Sequence, residues 1–236
     1  QMKICIVARN LPKNYSGSFE FDQALALKSL GHDVHVLSLD LRSARRKRKL
    51  GTYSYEDKGI GITVVSVPLG AIPKKIFYRI GTLFFDKAFK NLIKEKGEFD
   101  IIHSHFLDNT YIVSKAKNVN FSKTKFVATE HSNVSRLSVY NKDEYIKNVV
   151  KDTYISPVKL IVVSKDLQTI IKKNYDADSI VVHNIVDTSI FECNRENKSD
   201  GNNSKTIISV GNLTKNKRMD MLIRCFTSAF DRNPSC

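Results

Sequence analysis

The chemistry this sequence could perform gathers around two short segments. His103 and His105 close DIIHSH, and His131 closes FVATEH, with Thr129 and Glu130 before it and Ser132 after it. A neutral imidazole both donates and accepts hydrogen bonds, so it can hold a ligand hydroxyl or an anion's oxygen. Gly17 and Ser18, in RNLPKNYSGSFEF, stand where a helix is expected to begin, and backbone N–H groups there can meet an anion. That turn holds one glycine, so the G-x-G-x-x-G fingerprint is missing and NAD or FAD is not expected there. No carboxylate pair points to a glycosidase. Cys5, Cys193, Cys225 and Cys236 show no C-x-x-C spacing, so neither a zinc site nor a disulfide framework is expected. His32, in GHDV, reads as a turn residue at the far edge of the fold.

The elements that must carry these residues are short β-branched runs alternating with amphipathic helices. Strands are expected at Lys3–Ala8, Asp33–Leu39, Ile60–Val67, Asp100–His103, Phe126–Thr129, Lys159–Val163 and Ser179–His183. Helices are expected near Phe19–Leu30, Lys74–Lys96, Asn109–Lys117 and Lys165–Asn174, with another before Tyr154. Ser18 and Gly31 bound the first helix as N-cap and C-terminal stop. Segment 40–59 reads as a loop. Such alternation predicts a parallel sheet with right-handed crossovers, whose ligands gather beyond the C-terminal strand ends. His105, Glu130, His131 and Ser132 all fall there and are candidates to touch a substrate. Glu192–Lys205 is polar and aperiodic, as an interdomain linker is. A fresh strand at Thr206–Val210 and a helix from Met219 to Phe230 then open a second unit.

Composition sets the outer bounds. The chain has 236 residues, 42% hydrophobic and 26% charged, enough for one generous domain. No apolar run reaches membrane-spanning length, and QMKICIVARN lacks the pattern of a signal peptide, so a cytoplasmic location is expected. The net charge is +14, with a basic run from Arg42 to Lys49, and such a surplus attracts phosphates. Nothing resembles a nucleic-acid-binding motif.

Taken in order, KICIVA, GSFEFDQA, LGHDV, FDIIHSH, ATEHS, VVS, NIVDTSIF and SVGNLTKNKRMDMLIRCF resemble a retaining glycosyltransferase of family 4 (glycosyl transferases group 1) with the GT-B fold. The resemblance spans nearly the whole chain. It implies a Rossmann-like, doubly wound parallel sheet over residues 1–188 on the acceptor side. A linker over 189–204 follows, and then the start of a second Rossmann-like, nucleotide-sugar-binding domain over 205–236. It implies that Gly17 and Ser18 approach the donor phosphates, although the family's second glycine is Ser18 here. His131 would lie near the transferred sugar, and Lys217 would neutralise the donor diphosphate. The family's arginine five residues before that lysine is Asn212 here, and Arg218 could partly replace it. Asn184 and Asp187 would form the hinge. Neither a cofactor nor a metal is implied, the nucleotide-sugar being a substrate.

The partners implied are a nucleotide-sugar donor and a lipid-linked or polysaccharide acceptor, in cell-surface polysaccharide or glycolipid synthesis. The family's glutamate-rich donor segment is not in these residues, so the chain alone is expected to turn over little donor. Two other readings stand beside this one. The basic run and the Lys75, Arg79, Lys87, Lys90 and Lys94 flanks of the long helix could make a non-catalytic, peripheral membrane-surface module at the inner face. A sugar-nucleotide epimerase would share the architecture, but the Lys217 segment argues against it.

Overall fold

The structure, a computed structural model, describes residues 1–9, 11, 18–132, 143–157, 159–186, 188, 207–211 and 213–232. Gly17, most of the loop 133–145 and the expected linker 189–204 lie outside that set. The chain divides into two units, Gln1–Asp187 and Thr188–Cys236.

The first unit is one eight-stranded sheet. Its strands are β1 (Lys3–Arg9), β2 (Asp33–Asp40), β3 (Gly51–Asp57), β4 (Ile60–Ser66), β5 (Ile101–His105), β6 (Lys125–Glu130), β7 (Lys159–Val162) and β8 (Ile180–Val181), in the order β3-β4-β2-β1-β5-β6-β7-β8. All neighbours are parallel except β3 and β4. The chain moves outward from β1 on one side and then returns to add β5 on the other, so the topological switch point lies between β1 and β5.

Helices cover both faces because the inner strands are apolar on both. Ile4, Ile6 and Ala8 pack with Phe21 and Ala24 of α1 (Phe19–Ser29). Cys5 and Val7 point the other way, into a core with Phe85, Phe89 and Leu92 of α2 (Lys74–Lys96). α3 (Leu107–Ser114) packs beside α2, and Ile112 closes over Gly81 of that helix, where a Cβ would lie 2.7 Å from Ile112 Cδ1. α4 (Glu144–Ile155) and α5 (Lys165–Tyr175) join β6 and β7 in a further cluster built on Val150, Leu160, Val162 and Ile171.

Three expectations change. Segment 40–59 is not a plain loop. It holds a 3₁₀ turn at Ser43–Arg46 and then β3, which pairs with β4 from Gly51↔Ser66 to Asp57↔Ile60. Lys58 and Gly59, both at positive φ (48° and 71°), make the two-residue turn, as hairpins with matching twist require. Within the basic run, Arg48 turns inward to the buried Asp40 at 2.9 Å. β8 is only two residues long, shorter than expected. In the second unit, residues 207–210 form no strand, because their backbone groups have no ladder partner among the described residues. That unit contains a 3₁₀ turn at Lys215–Lys217 and α6 (Met219–Arg232), whose residues are not buried.

Candidate functional site

Parallel register builds the site. Ile101 packs on the α1 face and Ile102 on the α2 face, so His103 and His105 share the α1 face by strand alternation. His105 pairs in register with Thr129, which places Thr129 and His131 on that same face of the sheet. The side chains meet on the diagonal. His103 Nε2 lies 2.7 Å from Thr129 Oγ1, and His105 Nδ1 lies 2.9 Å from His131 Nε2. The rings stack in a column, with centroids 4.6 Å apart from His103 to His105 and 5.2 Å from His105 to His131. Phe19, the first residue of α1, caps the column at 4.6 Å from His131.

Phe106 closes the side of the column, 4.8 Å from His131, and carries the Arg9 guanidinium over its ring at 3.1 Å. Its φ of 68° with ψ of 150° belongs to a region that is almost exclusive to glycine, so this residue is strained. Contacts on both sides hold it there: its N–H donates to Thr129 O (2.9 Å), and its carbonyl accepts from Thr110 N (3.0 Å). Strain locked by its surroundings is characteristic of functional positions.

Glu130 is 2% exposed and anchors the turn that bears His131. Its Oε1 accepts the backbone N–H groups of His131 (2.9 Å) and Ser132 (2.7 Å), and its Oε2 accepts the hydroxyl of Tyr154 (3.1 Å). Burial raises its pKa, and the bonds from Ser132, Tyr154 and His131 oppose that rise. The Glu130 carboxylate is therefore engaged within the protein, and Ser132 is buried beside it.

The histidines are held neutral. Burial lowers His131 to about 4, the Arg9 charge adding to the effect; the nearby Asn184 amide opposes it. Even so, no partner meets His131 Nδ1 with hydrogen-bond geometry. Burial likewise takes His103 to about 4, and pushes His105 well below the ordinary value, with His103, His131 and Arg9 contributing. His105 and His131 line a small cleft of about 60 Å³, together with Gln23, Thr129, His183 and Asn184. Three buried polar atoms of its lining have no partner: His105 Nε2, His131 Nδ1 and Gln23 Oε1. A wider depression of about 830 Å³ lies along Leu213–Asp220 of the second unit. Its described lining is one short exposed stretch, whereas buried polar groups converge in the cleft.

Of the residues singled out in the sequence, His105, Glu130, His131 and Ser132 come together. Ser18 caps α1, its Oγ accepting from Phe21 N (3.4 Å) and donating to Glu20 Oε2 (2.6 Å). Gly17 lies outside the described residues. Lys217 and Arg218 belong to the second unit, where both are exposed and Arg218 has a positive φ of 50°. Gln23, Arg9 and Phe106 escaped the sequence reading, although Gln23 lies one helical turn from Phe19 on α1 and so shares its face. No cluster of three or more His, Cys, Asp or Glu among the described residues could hold a metal ion.

A doubly wound, mostly parallel sheet with a polar cleft beyond its C-terminal strand ends defines a Rossmann-like domain. Residues 21–190 match Glycosyltransferase Family 4, and the chain belongs to that family. Two solved structures resemble it in fold. Sucrose-phosphate synthase from Thermosynechococcus elongatus superposes with a TM-score of 0.56 at 15% identity, over 76% of this chain and 47% of that one. The catalytic domain of starch synthase IV from Arabidopsis thaliana, bound to ADP and acarbose, gives 0.50 at 15% identity, over 80% of this chain and 52% of that one. The chain thus spans about half the length of these proteins. No curated protein sequence matches it.

Proposed function

We propose that this chain supplies the acceptor-side half of a retaining glycosyltransferase that moves a sugar from a nucleotide-sugar donor to a saccharide or lipid-linked acceptor. The observation that carries this is His131. It is a half-buried, neutral imidazole whose buried Nδ1 meets no partner with hydrogen-bond geometry, held just past the C-terminal end of β6 in a cleft whose other unpartnered atoms are also suited to hydroxyls. Breaking a sugar–diphosphate bond builds negative charge on the leaving phosphate. Fixed cations and helix N-termini stabilise that charge without a metal. In this reading Gly17 and Ser18 are the donor-phosphate residues of the first unit, and Lys217 and Arg218 are phosphate-binding cations of the second. Glu130 and Ser132 act by holding the turn at His131. The acceptor belongs to cell-surface polysaccharide or glycolipid synthesis at the cytoplasmic side of a membrane. The chain alone turns over little donor, in keeping with a second unit in which α6 buries none of its residues.

Saturation-transfer NMR with UDP-glucose, GDP-mannose and ADP-glucose tests the reading. At least one should bind, with its sugar protons close to the protein, and His131→Ala should weaken that transfer while sparing the base. Absence of binding by all three, or an unaltered sugar signal in the variant, would overturn it.

A second reading has its own observation. The outer face of α2 exposes Lys75, Arg79, Leu83, Lys87, Lys90 and Lys94, with Leu83 63% accessible. No helix among the described residues is long and apolar enough to cross a membrane, but this face suits a surface of anionic headgroups. Sedimentation with anionic and neutral vesicles should show binding to the anionic ones alone; equal binding to both would rule out the electrostatic attraction.

A further inference from the structure

We infer that His105 and His131 work as one unit that shares a single proton and offers the cleft one N–H donor and one bare acceptor nitrogen, a pair matched to the neighbouring hydroxyls of a neutral sugar ring and unsuited to a phosphodiester or diphosphate linkage. The inference deepens the reading of the cleft as a sugar site and rests on it for the identity of the ligand, though not for the pairing of the rings.

The argument is a count of protons. Two neutral imidazoles carry four nitrogens and two N–H groups. The contact of His105 Nδ1 with His131 Nε2 at 2.9 Å uses one N–H from one ring and one lone pair from the other. If His105 donates, His105 Nε2 is bare and His131 Nδ1 carries a proton. If His131 donates, the two roles exchange. Either way both rings adopt the same tautomer, and the two remaining nitrogens are one donor and one acceptor. Those are the nitrogens left buried and unpartnered, on rings that line the same cleft. The rings have little freedom to escape the pairing, because His105 stacks on His103 and His131 lies against Phe19.

A sugar hydroxyl donates and accepts, so two adjacent hydroxyls satisfy both nitrogens at once. A phosphodiester or diphosphate-linkage oxygen brings lone pairs and no proton at neutral pH, and would face the bare nitrogen and Gln23 Oε1 with no proton between them. Conversion of the pair to two donors requires a positive charge on a ring that burial and Arg9 both disfavour. The cleft therefore selects the sugar end of a donor or acceptor, and leaves the anionic end to other groups.

The test uses the whole chain with ¹⁵N-labelled histidine and long-range ¹H–¹⁵N spectra at neutral pH. His105 and His131 should show the same tautomer. Glucose, galactose or mannose should shift the nitrogens of both rings together, and dimethyl phosphate, a phosphodiester with no proton at neutral pH, should leave them unmoved. His105→Phe keeps a ring in the stack but removes the shared proton. His131 should then populate both tautomers, and hexose affinity should fall about tenfold, as the loss of one hydrogen bond of ~1.4 kcal/mol would give. His105→Asn, with an amide near the position of Nδ1, should recover part of it. His35, paired with Thr63 Oγ1 at 2.9 Å well away from the cleft, reports whether a variant has folded. Opposite tautomers in the unmodified chain overturn the inference whatever the variants do. A response of the two rings to dimethyl phosphate, or to neither probe, overturns its ligand class. Matched tautomers and a hexose response without binding of any nucleotide-sugar would leave the inference intact and defeat the transferase reading instead.

Discussion

Removal of the Glu130 side chain tests whether the turn at His131 is held as its hydrogen bonds require. Glu130→Ala leaves the backbone N–H groups of His131 and Ser132 without their acceptor and removes one bond of the Tyr154 hydroxyl, in a setting that is buried or partly buried. An orphaned donor costs about 1–3 kcal/mol, so two of them, together with one lost bond of about 1 kcal/mol to Tyr154, give a loss of about 4 kcal/mol. Glu130→Gln keeps one carbonyl oxygen for both N–H groups and places an amide against Tyr154. It exchanges charge-assisted bonds for neutral ones but also removes a buried ionisable group, so its net cost should be about 1 kcal/mol or less. At about 2–4 °C per kcal/mol for a unit of this size, Ala should lower the melting temperature by ~10 °C and Gln by a few degrees at most. Thermal and urea unfolding followed by circular dichroism provide the measurement, and the nitrogen shifts of His131 should change in Ala far more than in Gln. If the two variants lose the same stability, or if Ala costs less than 1 kcal/mol, the carboxylate is not what holds the turn.

Other consequences can be measured in the same way. His35, His103 and His131 are held near 4 in the folded protein, so the native state binds fewer protons than the unfolded chain between about pH 6.5 and 4. Stability should therefore fall as pH drops through that window, by up to about 3 kcal/mol per histidine. The raised pKa of Glu130 works in the opposite direction. A melting temperature that stays level from pH 7 to 4.5 would contradict the burial of these rings. Ser18→Ala removes the cap of α1 and should cost about 1 kcal/mol, read as a drop of a few degrees in melting temperature; an unchanged value would show the cap to be idle. At Gly81, Ala should come close to neutral, because a gain of about 1 kcal/mol in helix propensity offsets tight contacts with Ile112 and Leu41. Val should lose about 2 kcal/mol by overpacking, measured by urea unfolding, and equal stability of the two would argue against close packing of α2 on α3.

Much of this was legible in the residues. The bounds expected for the long helix, Lys74–Lys96, are those observed, because its apolar face and the glycine behind it leave little room for another reading. Their place at the ends of DIIHSH and FVATEH put His105, Glu130 and His131 at the C-terminal edge of the sheet, where they are found. β3 was missed because its hairpin turns on Lys58–Gly59, a pair that carries less of a turn signature than Asn-Gly, and because its solvent-facing residues show no apolar period. The contact between His105 and His131 could not be read at all. It depends on which residue of β6 stands opposite His105, and register emerges only when the whole sheet assembles. The strain at Phe106 is equally silent in sequence, since nothing about a phenylalanine announces a positive φ.

The parallel pairing of β5 with β6 has one more consequence. Adjacent strands lie about 4.8 Å apart, and the centroids of His105 and His131 are 5.2 Å apart. The sheet thus sets the base spacing, and the Glu130 carboxylate at the end of β6, which holds the turn bearing His131, keys the second ring to it. Loops around the cleft can lengthen, shorten or exchange residues without altering that spacing. A lineage can in this way revise which molecules arrive while the distance between the two groups that receive them stays constant.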